Sequence, residues 1–224
     1  MIPLRDVIPS RTWPGVIVTL LALNVLVYLR EMSLSEREFE VFVGTFGLIP
    51  GAFSWRDVVS SMFVHGGLMH LIGNMLYLWI FGDNVEDRMG HGRFVAFYLL
   101  CGITAALVQT AMSPESLVPM VGASGAVAGV MGAYFVLYPR SRVLTLFPFP
   151  LMVIEIPAVY LLGLWFLIQF VSGLGSMAPP AAEQMPGGVA FWAHIAGFGA
   201  GVALIFLFRR PERAGVEWWG GPTS

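Results

Sequence analysis

The sequence predicts an all-α, polytopic integral membrane protein, a bundle of six transmembrane helices. Two observations predict it. The chain has 224 residues, 57% hydrophobic and only 12% charged, where a soluble domain carries roughly 25% charged residues. So few charges cannot cover a water-facing surface, so most of the surface must face lipid. The second observation is that six segments approach the ~20 apolar residues with which a helix crosses a ~30 Å hydrocarbon core. The length allows one membrane domain and little else. A net charge of −2 offers no electrostatic case for nucleic acid. Cys101 is the only cysteine, which rules out an internal disulfide and a cysteine-pair metal site.

The predicted spans follow the apolar runs. They cover about Pro14 to Leu29, Leu68 to Phe81, Phe94 to Met112, Ser124 to Tyr138, Leu151 to Val171 and Gly188 to Phe208. The first is read as a retained helix, because no small-residue cleavage site follows it before the charges near Arg30. All 12 basic residues are arginine, and their placement sets the orientation. With the N-terminus inside, nine arginines fall inside and only Arg30, Arg37 and Arg56 fall outside. Both termini are thus expected in the cytoplasm. The organisation is a tail over 1–13, a membrane domain over 14–208 with a long first outside loop over 30–67, and a second tail over 209–224. The loop carries Phe39, Phe42, Phe46, Phe53, Trp55 and Phe63, aromatics suited to the headgroup layer. The final tail, rich in Pro and Gly, reads as disordered.

Polar residues inside spans are costly and point to function. Ser124 opens the fourth span and lies 15 residues before Pro139, which cannot continue a helix. At 1.5 Å per residue that is roughly 22 Å, short of the ~30 Å core. The helix must therefore begin below the outer surface. His194 also lies 15 residues before an arginine, Arg209. His70 precedes Asp83 by 13 residues, and Asn74 sits one turn deeper. The second, fourth and sixth spans run in the same direction, so these residues are expected in one layer near the outer face.

A serine beside a histidine in such a layer suggests nucleophilic catalysis. Small residues spaced four apart let membrane helices approach closely, and Gly125/Gly129 and Gly197/Gly201 provide that spacing on the fourth and sixth spans. The Ser124 amide, His70 and Asn74 are candidate donors to an oxyanion. No acidic residue is expected in the layer, which points to a Ser–His dyad. Each feature also has a plainer reading. Gly-Ser-Gly elements usually serve packing, and His70 and Asn74 could satisfy each other. His65 is read as a loop anchor and His91 as solvated. No metal or cofactor is expected, since His65 and His70 are not spaced for one helix face and lack an accompanying carboxylate. The agreement in depth favours catalysis.

At these residues the chain resembles the rhomboid family of intramembrane serine proteases, of the bacterial six-helix type. His65-Gly-Gly-Leu-Met-His70-Leu-Ile-Gly-Asn74 is similar to the family's histidine–histidine–asparagine signature. Gly122-Ala123-Ser124-Gly125 looks like its nucleophile motif, and Ala193-His194-Ile195-Ala196-Gly197, followed by Gly201, like that of the base. The resemblance implies Ser124 as nucleophile, His194 as general base, and oxyanion binding by His70, Asn74 and the Ser124 amide. Trp55-Arg56 resembles a pair in the family's membrane-lying first loop. Trp165 resembles an aromatic on a fifth helix that gates substrate laterally against the second. Position 128 is alanine, where some members carry a tyrosine stacked on the catalytic histidine. His194 must then be oriented by other contacts. The implied partners are transmembrane protein substrates and the lipid bilayer, with no nucleic acid. The implied location is the bacterial plasma membrane. A catalytically inactive client-binding relative and a small transporter are the alternatives, and the oligomeric state is left open.

Overall fold

The structure, a computed structural model, describes residues 1–176 and 190–211. In chain order it contains β1 (Ile2–Asp6), α1 (Gly15–Met32), α2 (Glu36–Phe46), a 3-10 turn (Pro50–Ala52), α3 (Trp55–Ser60), α4 (Leu68–Met89) and α5 (His91–Met112). Then follow α6 (Ser124–Leu137), β2 (Arg142–Pro148), β3 (Leu151–Pro157), α7 (Ala158–Ser176) and α8 (Phe191–Phe208). The protein is mostly helical. Four helices, α1, α5, α7 and α8, are long and apolar enough to cross a membrane. The other two predicted spans correspond to α6, which has 14 residues, and α4, whose last turns carry Asp83, Glu86, Asp87 and Arg88.

The short helix is the centre of the bundle. Every residue of α6 from Gly125 to Tyr134 is buried, and α4, α5, α7 and α8 pack around it. An apolar helix without a polar face belongs in such a position. Its contact with α8 is made by backbone. A side-chain carbon on Gly197 would lie 2.0 Å from the Gly125 carbonyl oxygen, and one on Gly201 would lie 1.9 Å from that of Gly129. In the other direction, a carbon on Gly132 would meet the Phe198 oxygen at 2.2 Å.

Three sequence expectations change. The all-α prediction gives way to a bundle with a small antiparallel sheet, in the order β1-β2-β3. Part of the predicted N-terminal tail is β1, which pairs Ile2 with Leu146 and Asp6 with Val143. The fifth helix begins at Ala158, not near Leu151, because 151–157 is the strand β3, paired with β2 from Arg142↔Pro157 to Pro148↔Leu151. A short apolar run does not reveal its period. Val153, Ile154 and Ile156 are β-branched, and Pro148, Pro150 and Pro157 bracket the run, so the extended form is favoured. The outside loop also folds, into α2, the 3-10 turn and α3. Ser35 and Glu38 cap α2 reciprocally. The predicted start of the sixth span at Gly188, and the tail beyond Pro211, lie outside the described residues.

Two carboxylates fasten the sheet end of the bundle. Buried Glu86 accepts hydrogen bonds from the Val16 and Ile17 N–H groups, each at 3.0 Å. These are donors that the first turn of α1 cannot satisfy internally, and the helix dipole favours an anion there. His91, exposed as expected, also meets the same carboxylate through Nδ1 at 2.5 Å, because the α4–α5 turn at Gly90 brings it back over α4. Asp6 receives hydrogen bonds from the Asn84 amide at 3.0 Å and the Tyr134 hydroxyl at 2.5 Å. Burial raises the Asp6 carboxyl to about 7. The Tyr134 bond opposes that shift and the nearby Asp83 adds to it.

Two outcomes are expected. Gly201→Ala forces α6 and α8 apart and lowers the melting temperature of the detergent-solubilised protein, at a cost of about 1–3 kcal/mol or more. Gly199→Ala, with nothing within 4 Å of the added carbon, does not lower it. Asp6 binds its proton more tightly folded than unfolded, since about 7 exceeds the ordinary 3.8. Its contribution to stability is therefore full below about pH 4 and is lost as pH rises through about 7. Melting scans at pH 5.5 and pH 8 should show a decrease that Asp6→Asn reduces.

Candidate active site

The helices α4, α6 and α8 all begin at the end of the bundle away from the sheet. Between them and α7 opens a cavity of about 620 Å³, whose lining includes His70, Asn74, Tyr77, Ser124, Trp165 and His194. Met69, Val127 and Met131 make much of the remaining wall.

Ser124 is the first residue of α6, so its N–H has no partner four residues back within the helix. The approach to it is set by Gly122, whose φ of +116° suits glycine alone. The Gly122 N–H donates to the Ser61 carbonyl at 2.8 Å, which ties the turn to the segment after α3. A side-chain carbon on Gly122 would sit 2.6 Å from His70 Nε2 and 3.4 Å from Asn74 Nδ2. Both side-chain nitrogens thus lie over the backbone that enters Ser124. The spacing of four residues puts them on one face of α4.

Asn74 is held from behind. Its Nδ2 lies 3.1 Å from His65 Nε2, and His65 Nδ1 lies 3.2 Å from the Phe63 carbonyl. The carbonyl can only accept, so the Nδ1 hydrogen points to it and Nε2 receives one of the two Asn74 amide hydrogens. Burial, with His70 alongside, pulls His65 down to about 4, so its ring is neutral at physiological pH. The rings of His65 and His70 meet edge to face with centroids 5.2 Å apart. The backbone N–H of His65 donates separately to Glu31 Oε1 at 3.0 Å. An acidic residue therefore stands behind the polar layer, where none was expected. It comes from the end of α1, outside the three spans that carry the layer.

His194 is fixed by α7 and α5. Its Nδ1 lies 2.8 Å from Gln169 Oε1, and the Trp165 ring lies against it with centroids 5.8 Å apart. The N–H of the preceding residue, Ala193, donates to Gln109 Oε1 at 3.1 Å. Trp165 also touches Phe198, and Phe166 touches it more closely, with centroids 4.9 Å apart. Of the supporting residues predicted, Gly125, Gly197 and Gly201 form the α6–α8 contact, Gly122 makes the turn, and His65 backs Asn74. Glu31, Gln109 and Gln169 were missed. For Gln109 and Gln169 the signal was present as single amides within apolar runs, on spans that contribute nothing to the predicted layer; Glu31, beside Arg30 at the start of the charged loop, carried no such signal. Among the described residues, no group of three or more His, Cys, Asp or Glu is placed to hold a metal ion.

Comparison with known proteins is consistent with these features. Residues 52–211 match the family model described as the Rhomboid domain. The chain is 40% identical over 79 residues to the rhomboid protease GluP of Bacillus subtilis, covering 35% of this chain and 15% of that protein. It is 33% identical over 172 residues to RHOMBOID-like protein 2 of Arabidopsis thaliana, covering 72% of this chain and 48% of the relative. It is 31% identical over 150 residues to the mitochondrial rhomboid protein 1 of Saccharomyces cerevisiae, covering 65% and 40%. The chain thus spans less than half the length of each of these relatives. With the family match running from the 3-10 turn past the end of α8, the chain belongs to the rhomboid family.

Proposed function

We propose that the protein is an intramembrane serine endopeptidase that cleaves transmembrane segments of membrane proteins through a Ser124–His194 dyad. The observation that carries this reading is the shared cavity. A serine hydroxyl and an imidazole line it from two helices whose backbones touch at Gly125–Gly197 and Gly129–Gly201.

In this reading Ser124 Oγ attacks the scissile carbonyl carbon, and its proton passes to His194 Nε2. The carbonyl oxygen becomes an oxyanion, which receives hydrogen bonds from the Ser124 N–H, His70 and the free Asn74 amide hydrogen. Donors preorganised in this way are each worth about 10²–10³ in rate. The imidazolium then protonates the leaving amine, and the peptide C–N bond breaks. Water, deprotonated by His194, attacks the acyl-serine and regenerates the hydroxyl. A helical substrate hides its carbonyls in its own hydrogen bonds, so it must unwind locally to react. Small or helix-destabilising residues near the cut favour that.

Access is lateral in this reading. Among the described residues α7 packs chiefly on α8 and α6 of the helices, and the cavity reaches from the α4 wall at His70, Gly73 and Tyr77 to Trp165 on α7. A substrate helix would enter between α4 and α7. We count α4 and α6 as the remaining two spans. The arginine distribution supports cytoplasmic termini, and the likeness to the bacterial type supports the bacterial plasma membrane.

Purified protein incubated with a labelled transmembrane peptide should cleave it, and Ser124→Ala and His194→Ala should each lower turnover by at least about 10³-fold. A fluorophosphonate should label wild type and not Ser124→Ala. Equal cleavage by wild type and Ser124→Ala would refute the dyad. No cleavage and no labelling by wild type would favour an inactive, client-binding relative.

A further inference from the structure

We propose that Gln169, on α7, is the positioning residue of His194: it holds the ring with hydrogen on Nδ1 and leaves Nε2 as the proton acceptor. The inference rests on the protease reading above and adds to it the residue that prepares the base.

The geometry is specific. Gln169 Oε1 lies 2.8 Å from His194 Nδ1. An amide oxygen only accepts, so the hydrogen of this bond belongs to Nδ1. A neutral imidazole carries one ring hydrogen, so Nε2 then bears the lone pair. That is the tautomer a serine base requires. It is the task performed by the third member of a catalytic triad, which orients the ring and selects its protonated nitrogen. No carboxylate is among the residues lining the cavity, and Glu31 is engaged with the backbone N–H of His65. Position 128 is a fully buried alanine, so no aromatic ring of α6 stands at that point to hold His194. Trp165, 5.8 Å away and tilted by 37°, confines the ring but offers no acceptor. In apolar surroundings an unpaired amide or imidazole N–H is expensive, so the pair is self-enforcing. Each group supplies the partner that lipid cannot.

The location adds a second consequence. Gln169 sits on the helix that borders the proposed substrate path, one turn from Trp165. The base therefore has its working orientation when α7 lies against α8.

The test uses the full chain in detergent. Gln169→Met keeps the side-chain volume and removes the acceptor. Gln169→Glu keeps the acceptor. Gln169→Met should lower kcat by about 10–100-fold, a part of what a general base supplies, with KM changed less than about twofold. Gln169→Glu should restore at least half of the lost factor. A second measurement does not depend on turnover. With ¹⁵N-labelled histidine, and His194→Ala to assign the signal, wild type should show Nδ1 as the protonated nitrogen of His194, and Gln169→Met should move the hydrogen partly to Nε2. Wild-type kcat in Gln169→Met, or an unchanged tautomer, would overturn the inference while the dyad stands. Cleavage by Ser124→Ala would remove the protease reading beneath it.

Discussion

Backbone contact between α6 and α8 is the constraint on which the rest depends. Inside a membrane no hydrophobic force draws helices together, because lipid chains are as apolar as the side chains. Close packing has to supply the attraction. The carbonyl oxygens of Gly125 and Gly129 rest where side-chain carbons of Gly197 and Gly201 would be. Dispersion and weak Cα–H···O contacts then act over a surface with no intervening side chains. The same register fixes the first turn of α6 beside His194. The glycines that hold the bundle together therefore also set the two proposed reacting groups.

Around that axis, the polar groups are arranged as chains of partners. Glu31 receives the His65 N–H, His65 receives Asn74, and Asn74 overlies the Gly122 turn. On the other side Gln109 receives the Ala193 N–H, and Gln169 pairs with His194. Each pairing removes the several kcal/mol that an unsatisfied group costs away from water. The pairings of Asn74 and His194 also remove rotational freedom from two side chains that line the cavity. Satisfying these groups and preorganising the site are thus one physical act. The sheet end works differently. There Glu86 and Asp6 tie the start of α1 and the first strand to α4 and α6. That end is braced by charged and backbone hydrogen bonds, and the cavity end is left open.

Much of this was legible in the chain itself. Low charge and long apolar runs required a membrane bundle, since nothing else could bury them. Helix length was legible in α6 because Pro139 and Ser124 bound it. The glycine pairs were legible because their spacing has one physical use in lipid. The sheet was not legible from periodicity: Leu151–Ile156 is apolar except for Glu155, and only its β-branched residues and flanking prolines lean towards a strand. Its pairing with β2, and that of β2 with Ile2–Asp6, are long-range hydrogen bonds with no local signature. The roles of Gln109 and Gln169 were hidden for a related reason. A lone amide in an apolar helix shows that a partner must exist, without saying which.

The sequence by itself determined the class of the molecule, the shortness of the fourth helix, the glycine seam and the residues offered for chemistry, because composition and spacing act through local geometry and the cost of polarity in lipid. Tertiary structure alone decided which nitrogen of each histidine faces which acceptor, and which helix supplies it. Those choices depend on distances between segments far apart in the chain, such as Gln169 and His194 at 2.8 Å. No periodicity along the chain encodes a hydrogen bond between two helices that meet only when the bundle closes.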